Sequence, residues 1–189
     1  MKEKIWPNFS RNLISKVSRV INSGKINYTT GIYGKKFEQK FSNFIGNKYS
    51  IAICNGTAAL EVAIKSLDLP EGSEIIVPAR SFFASASCVI NTGYIPVFVD
   101  VDLKTQNISP KDVEKKITKK TKAIICVHLA GLPCDIYAIK KIAMKNKIKI
   151  IEDCSQAHGA KINNKQVGSF GDIGTWSFCN DKIVSTLGE

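Results

Sequence analysis

With 189 residues, 44% hydrophobic and 23% charged, the chain has the size and balance of one sizeable globular domain, which excludes a disordered chain. Its formal charge of +11 is almost all lysine, with Arg11, Arg19 and Arg80 the only arginines, a poor endowment for base readout or phosphate forks on a nucleic acid. The longest apolar runs, such as 51–54 and 123–127, are too short to span a membrane, and the N-terminus lacks the apolar core of a secretory signal, so a cytoplasmic chain is expected.

In chain order, Leu13, Ile14, Val17, Val20 and Ile21 recur at helical spacing between a capping Ser10 and a stopping Gly24, which predicts an amphipathic helix over 10–24. The segment 27–34 (NYTTGIYG) leads to a second helix from about Lys35 to Phe44, closed by Gly46. A strand over 49–54, a helix over 57–67 and the loop DLPEGS then open an α/β alternation. It continues as strand EIIVP, helix SFFASASCVINT, strand PVFVDVD, helix PKDVEKKI, strand KAIICVH, helix DIYAIKKIAMKN and strand IKIIED, and ends on a strand in 171–178. Such units predict an α/β fold with a mixed, mainly parallel sheet flanked by helices on both faces. The expected organisation is an N-terminal helix and active-site segment over 1–34 and a large domain over 35–189. The lysine cluster at 111–122 includes acids and reads as a solvated helix and turn, although its field would also draw an anionic small substrate.

In such sheets ligands gather at the carboxyl ends of the strands. After 49–54 come Asn55, Gly56, Thr57 and Ala58, a close-approach glycine followed at once by a helix start that offers free amides to a phosphate. Taken alone, the segment is equally a tight turn with Thr57 as cap. After 148–151 come Glu152 and Asp153, a carboxylate at the strand end, with Asp153 open to use as a metal ligand, a ribose ligand or a helix cap. His128 and His158 have no metal-ligand spacing and read as structural. Six cysteines without a C-x-x-C pair sit mostly in apolar runs, so neither structural zinc nor a disulfide framework is expected. The last signal is Ser177 with Lys182 five positions later, in a loop after a strand end. One lysine proves little in so basic a chain. With Gly56, Thr57, Asp153 and Ser177 it supplies what a pyridine cofactor with a phosphate tail demands: an amine for the imine, a carboxylate for the ring nitrogen, and hydroxyls and amides for the phosphate.

The strings NGTAALEVAI, VPARSFFASAS, PVFVDVD, VHLAGLPCD, IEDCSQAHGA, GSFGDIGTWSF and SFCNDKIVSTLGE follow in the order and spacing of the DegT/StrS family of nucleotide-sugar aminotransferases, which the chain resembles over essentially its whole length. The resemblance implies an aspartate-aminotransferase-like, fold-type I large domain that uses pyridoxal 5'-phosphate to transaminate a nucleotide-linked keto-deoxysugar, with an amino acid donor such as glutamate. It implies Lys182 as the Schiff-base lysine and proton shuttle, Asp153 against the pyridine nitrogen, and Gln156 beside the phenolic oxygen. Gly56, Thr57 and Ser177 would hold the phosphate, and Phe82, with Phe83 as the neighbouring alternative, would lie on the ring face. It also implies a homodimer whose second subunit completes the phosphate site. Two departures bear on substrate choice: Ala130 stands where many members have tyrosine, and SFCNDK differs from the commoner SFHP-type string.

Family members are substantially longer, so a chain ending on Thr186, Leu187, Gly188 and Glu189 is expected to be truncated and, alone, to bind cofactor weakly and turn over little. A non-catalytic binding or regulatory module is the alternative that this truncation motivates. A Rossmann-type sugar-nucleotide reductase is motivated by Tyr137 and Lys141 in a Y-x-x-x-K match, but no G-x-G-x-x-G follows a first strand.

Overall fold

The computed structural model describes residues 6–186, leaving Leu187, Gly188 and Glu189 of the expected truncation point outside the described residues. The chain packs as two compact units, divided between Ala52 and Ile53.

The first unit holds helices α1 (Arg11–Asn22) and α2 (Tyr33–Ile45). Ser10 caps α1 by accepting the Leu13 amide at 3.2 Å, and α2 ends at Gly46, whose φ of 86° is the left-handed conformation a helix stop requires. The strand expected over 49–54 does not form. Its residues run irregularly, with Tyr49 and Ile51 exposed and no sheet pairing among the described residues. Glu38 takes the place of a neighbouring strand: its side chain accepts the Ala52 amide at 2.8 Å and its carbonyl accepts the Ser50 hydroxyl.

The second unit is a three-layer α/β structure. Its elements in chain order are α3 (Gly56–Ser66), β1 (Glu74–Pro78), α4 (Ala84–Asn91), β2 (Ile95–Val99), α5 (Pro110–Lys116), β3 (Thr121–Val127), α6 (Ile136–Asn146), β4 (Lys149–Asp153), the short pair β5 (Lys161–Ile162) and β6 (Lys165–Gln166), and β7 (Ile173–Thr175). The five main strands lie in the order β2-β1-β3-β4-β7, and every pairing among them is parallel. The expected final strand over 171–178 thus contributes only three paired residues.

Alternation along the strands explains the layers. Ile75, Val77, Ala123, Ile125, Val127 and Ile151 face α3 and α4, whereas Ile76, Ile124, Cys126 and Ile150 face α5 and α6. Each fully buried isoleucine of this kind contributes about 1.5–3 kcal/mol relative to an exposed one. All six cysteines are free thiols, four of them buried, as small hydrophobes are. β5 and β6 form an antiparallel hairpin that the strand patterns did not suggest; Asn163 and Asn164, at φ 49° and 64°, make its turn. Among the described residues, no helix is long and apolar enough to cross a membrane.

Candidate active site

Parallel strands bring their carboxyl ends to one edge, and here the register aligns them closely. Val127 pairs with Asp153 and Asp153 with Thr175, so the ends of β3, β4 and β7 form one row. Three groups of candidate residues collect along it.

The first group is the entrance to α3. Asn55 caps the helix by accepting the Ala58 amide at 2.8 Å, and its carbonyl takes the Ala59 amide at 2.9 Å. Helix geometry leaves the amides of Gly56 and Thr57 without an intrahelical acceptor, at the positive end of the helix dipole. Gly56 is buried, and a Cβ added there would lie 2.8 Å from the Cβ of Ser177. Only glycine lets α3 start this close to the segment after β7. Sequence reasoning gave Thr57 as a possible cap; the cap is Asn55, which frees the Thr57 hydroxyl for other partners.

The second group surrounds the end of β4. Asp153 is 6% exposed, and each of its carboxylate oxygens has a donor: Ser85 Oγ at 3.0 Å on Oδ2 and the Ser155 amide at 3.1 Å on Oδ1. Ser81 Oγ lies 2.8 Å from Ser85 Oγ. Gln156 turns its side-chain oxygen to the amide of Ala130 at 2.7 Å, which holds Ala130 in a left-handed conformation at φ 52°.

The third group is the loop after β7. Ser177 is buried, and Lys182 is one-fifth exposed with its ammonium 2.8 Å from Asp181. His158 stands edge-on to Phe178 at 5.1 Å between ring centroids. Burial holds the His158 imidazole below its ordinary value; the Ser177 backbone acts against this, and the Lys182 charge adds to the depression. Phe82 is exposed at 61% and packs on the equally open Phe83, with ring centroids 4.6 Å apart.

Beneath the row lies a buried polar node that motif reading missed. Glu152 is fully buried and accepts four hydrogen bonds, from the amides of Phe170 and Gly171 on Oε1 (both 2.7 Å) and from the Gly168 amide (2.8 Å) and His128 Nε2 (3.0 Å) on Oε2. The Cys134 amide donates to His128 Nδ1 at 3.1 Å, which makes Nε2 the nitrogen that donates to Glu152. Burial alone would raise the Glu152 carboxyl; the His128 hydrogen bond and the amides of Gly171 and Gly168 outweigh it and hold the group below its ordinary value of 4.5. Glu152, His128 and Cys154 offer ligand atoms within 4.8 Å of one another, but both carboxylate oxygens and both ring nitrogens are already engaged. The node therefore reads as an anchor for the segment 166–171 rather than a metal centre. The signal was present in the sequence as an acid inside the apolar run KIIED, where only a partnered carboxylate is stable.

Residues 7–189 match the profile of the DegT/DnrJ/EryC1/StrS aminotransferase family. The chain belongs to this family. GDP-perosamine synthase of Escherichia coli O157:H7 is 46% identical over 156 residues, covering 82% of this chain and 43% of that protein. The crystallographic aminotransferase from Psychrobacter cryohalolentis superposes with a TM-score of 0.96 at 49% identity, over 98% of this chain and 47% of its own. The E. coli GDP-4-keto-6-deoxy-D-mannose-3-dehydratase with bound hydrated PLP has a TM-score of 0.90 at 31% identity, over 96% of this chain and 48% of its own. The fold is thus the fold-type I α/β architecture that the DegT/StrS motifs implied. The chain spans about half the length of the relatives it matches.

Proposed function

We propose that this DegT/DnrJ/EryC1/StrS chain carries the pyridoxal-phosphate-binding half of an enzyme that transaminates a nucleotide-linked keto-deoxysugar from an amino acid donor such as glutamate, in amino-sugar or polysaccharide biosynthesis. The observation that carries the reading is the pair of complementary sites along one sheet edge. A glycine-tight helix start offers free amides beside Ser177, and a buried, doubly supported carboxylate ends β4. The donor set fits the group. A Cβ would fill the cradle at Gly56, and Gly56, Thr57 and Ser177 present amides and hydroxyls suited to a phosphate dianion. The relatives support the substrate class, since two of those described are named for GDP-linked sugars.

When bound, the cofactor supplies a carbonyl that exchanges amino groups and a protonated ring that accepts electrons from the substrate carbon. The protein's own tasks follow from its residues. Asp153, shielded from solvent and held by Ser85 and the Ser155 amide, would pair with the ring nitrogen. Lys182 would hold the cofactor through its Nζ amine and, when displaced by an incoming amine, would move a proton at Nζ. Gln156, whose side-chain oxygen holds the Ala130 amide, would offer its NH2 to the phenolic oxygen, and Phe82 would supply a face for the pyridine. In this reading the working protein is a homodimer, a state that light scattering of the purified protein checks. Lys182→Ala should abolish amino transfer to a keto-sugar while pyridoxamine phosphate still binds; turnover retained in that variant would sink the reading.

A further inference from the structure

We propose that Ser85, oriented by Ser81, is a positioning residue that sets how the Asp153 carboxylate meets the ring nitrogen of the cofactor; the inference rests on the reading of Asp153 given above. Ser85 lies in the first turn of α4, 1% exposed, and reaches across 68 residues of sequence to Asp153 Oδ2 at 3.0 Å. A hydroxyl has a single proton to donate. An ionised carboxylate accepts only, so the Ser85 proton is committed to Asp153, and Ser81 must be the donor in the 2.8 Å contact between the two hydroxyls. The chain therefore runs in one direction, from Ser81 to Ser85 to Asp153. Hydrogen bonds linked in this way strengthen one another inside a protein.

The geometry goes beyond packing. Ser85 Oγ acts on Oδ2 and the Ser155 amide on Oδ1, so the carboxylate plane is fixed by one donor on each oxygen, from two separate elements. Each oxygen keeps acceptor capacity toward a ligand. The same two contacts aim the carboxylate's remaining acceptor capacity at the ring nitrogen. Removing Ser85's donor loosens the plane and weakens the contact that holds the ring nitrogen's proton. Neither serine belongs to the amine, phosphate or ring-face groups, so a phosphate-binding readout should not move.

The test uses the purified protein loaded with pyridoxal phosphate labelled with 15N in the ring, observed by NMR at one fixed pH. Asp153→Asn serves as the reference and should move the nitrogen signal to the unprotonated position. Ser85→Ala should move it the same way, corresponding to about a tenfold change in the ratio of protonated to unprotonated ring. Ser81→Ala should give a smaller shift of the same sign, and it decides the matter if Ser85→Ala fails to fold. A wild-type signal in the serine variants, with Asp153→Asn shifted, would overturn this inference alone. An unshifted Asp153→Asn would remove the Asp153 reading and this inference with it.

Discussion

Glu152→Gln is the sharpest test of the buried node, because an amide has the same shape as the carboxylate but cannot satisfy the same partners. All four groups around Glu152 are donors: the amides of Phe170 and Gly171 on one oxygen, and the Gly168 amide and His128 Nε2 on the other. Whichever way the glutamine is turned, its NH2 meets two donors. A tautomer switch at His128 gives no escape, because Nδ1 would then carry a proton against the Cys134 amide. Two charge-assisted hydrogen bonds are lost and their donors stay buried, a cost of about 3–5 kcal/mol. That is a large part of the roughly 5–15 kcal/mol available to a domain. Urea unfolding followed by far-UV circular dichroism measures it as a fall in midpoint at unchanged slope. A loss below about 1 kcal/mol would show that the four contacts do not hold the segment 166–171, and would refute the reasoning.

The same group predicts a pH dependence. Its folded carboxyl is depressed, so its contribution is complete above the ordinary value of 4.5 and is lost as pH falls through the lower folded value. Acid titration of stability should show that loss in the wild type and a flatter profile in Glu152→Gln. Gly56→Ala must push α3 away from Ser177, because its new Cβ would sit 2.8 Å from the Ser177 Cβ. Overpacking of about 1–3 kcal/mol should weaken pyridoxal phosphate binding about tenfold or more in an absorbance titration. Thr57→Val keeps the shape and removes one hydroxyl, and should weaken the same binding about tenfold. As a control, Asp135→Ala removes the cap that accepts the Ala138 amide at the start of α6; it should cost about 1 kcal/mol in unfolding and leave cofactor affinity unchanged.

Much of this fold is written in the chain. Continuous apolar runs such as 123–127 become strands buried on both faces, and the caps Ser10, Asn55, Ser109 and Asp135 mark helix starts. The misread strand over 49–54 has the right composition, but strand identity depends on a neighbour, which here is replaced by Glu38. The hairpin of β5 and β6 is too short for periodicity, although Asn163-Asn164 is the kind of turn signal that reveals one. At the site, Asp153 and Ser177 were singled out because they follow strand ends, where ligands collect, whereas Gly56 was singled out after a strand that does not form, and its close approach to Ser177 shows only in the fold. Ser85 was not, since a serine within SFFASAS looks generic until the fold sets it against Asp153. Glu152 is marked in the sequence by its place in an apolar run, but its partners are not, since they are amides 16 to 19 residues further on.

The central claim is that Lys182 is the amine that takes the cofactor. Incubating the purified protein with pyridoxal phosphate, reducing with borohydride and mapping the product by peptide mass spectrometry tests it directly. The account predicts one stoichiometric phosphopyridoxyl adduct on Lys182, lost in Lys182→Ala. Stoichiometric adduct on another lysine, or none on the wild type, would contradict it.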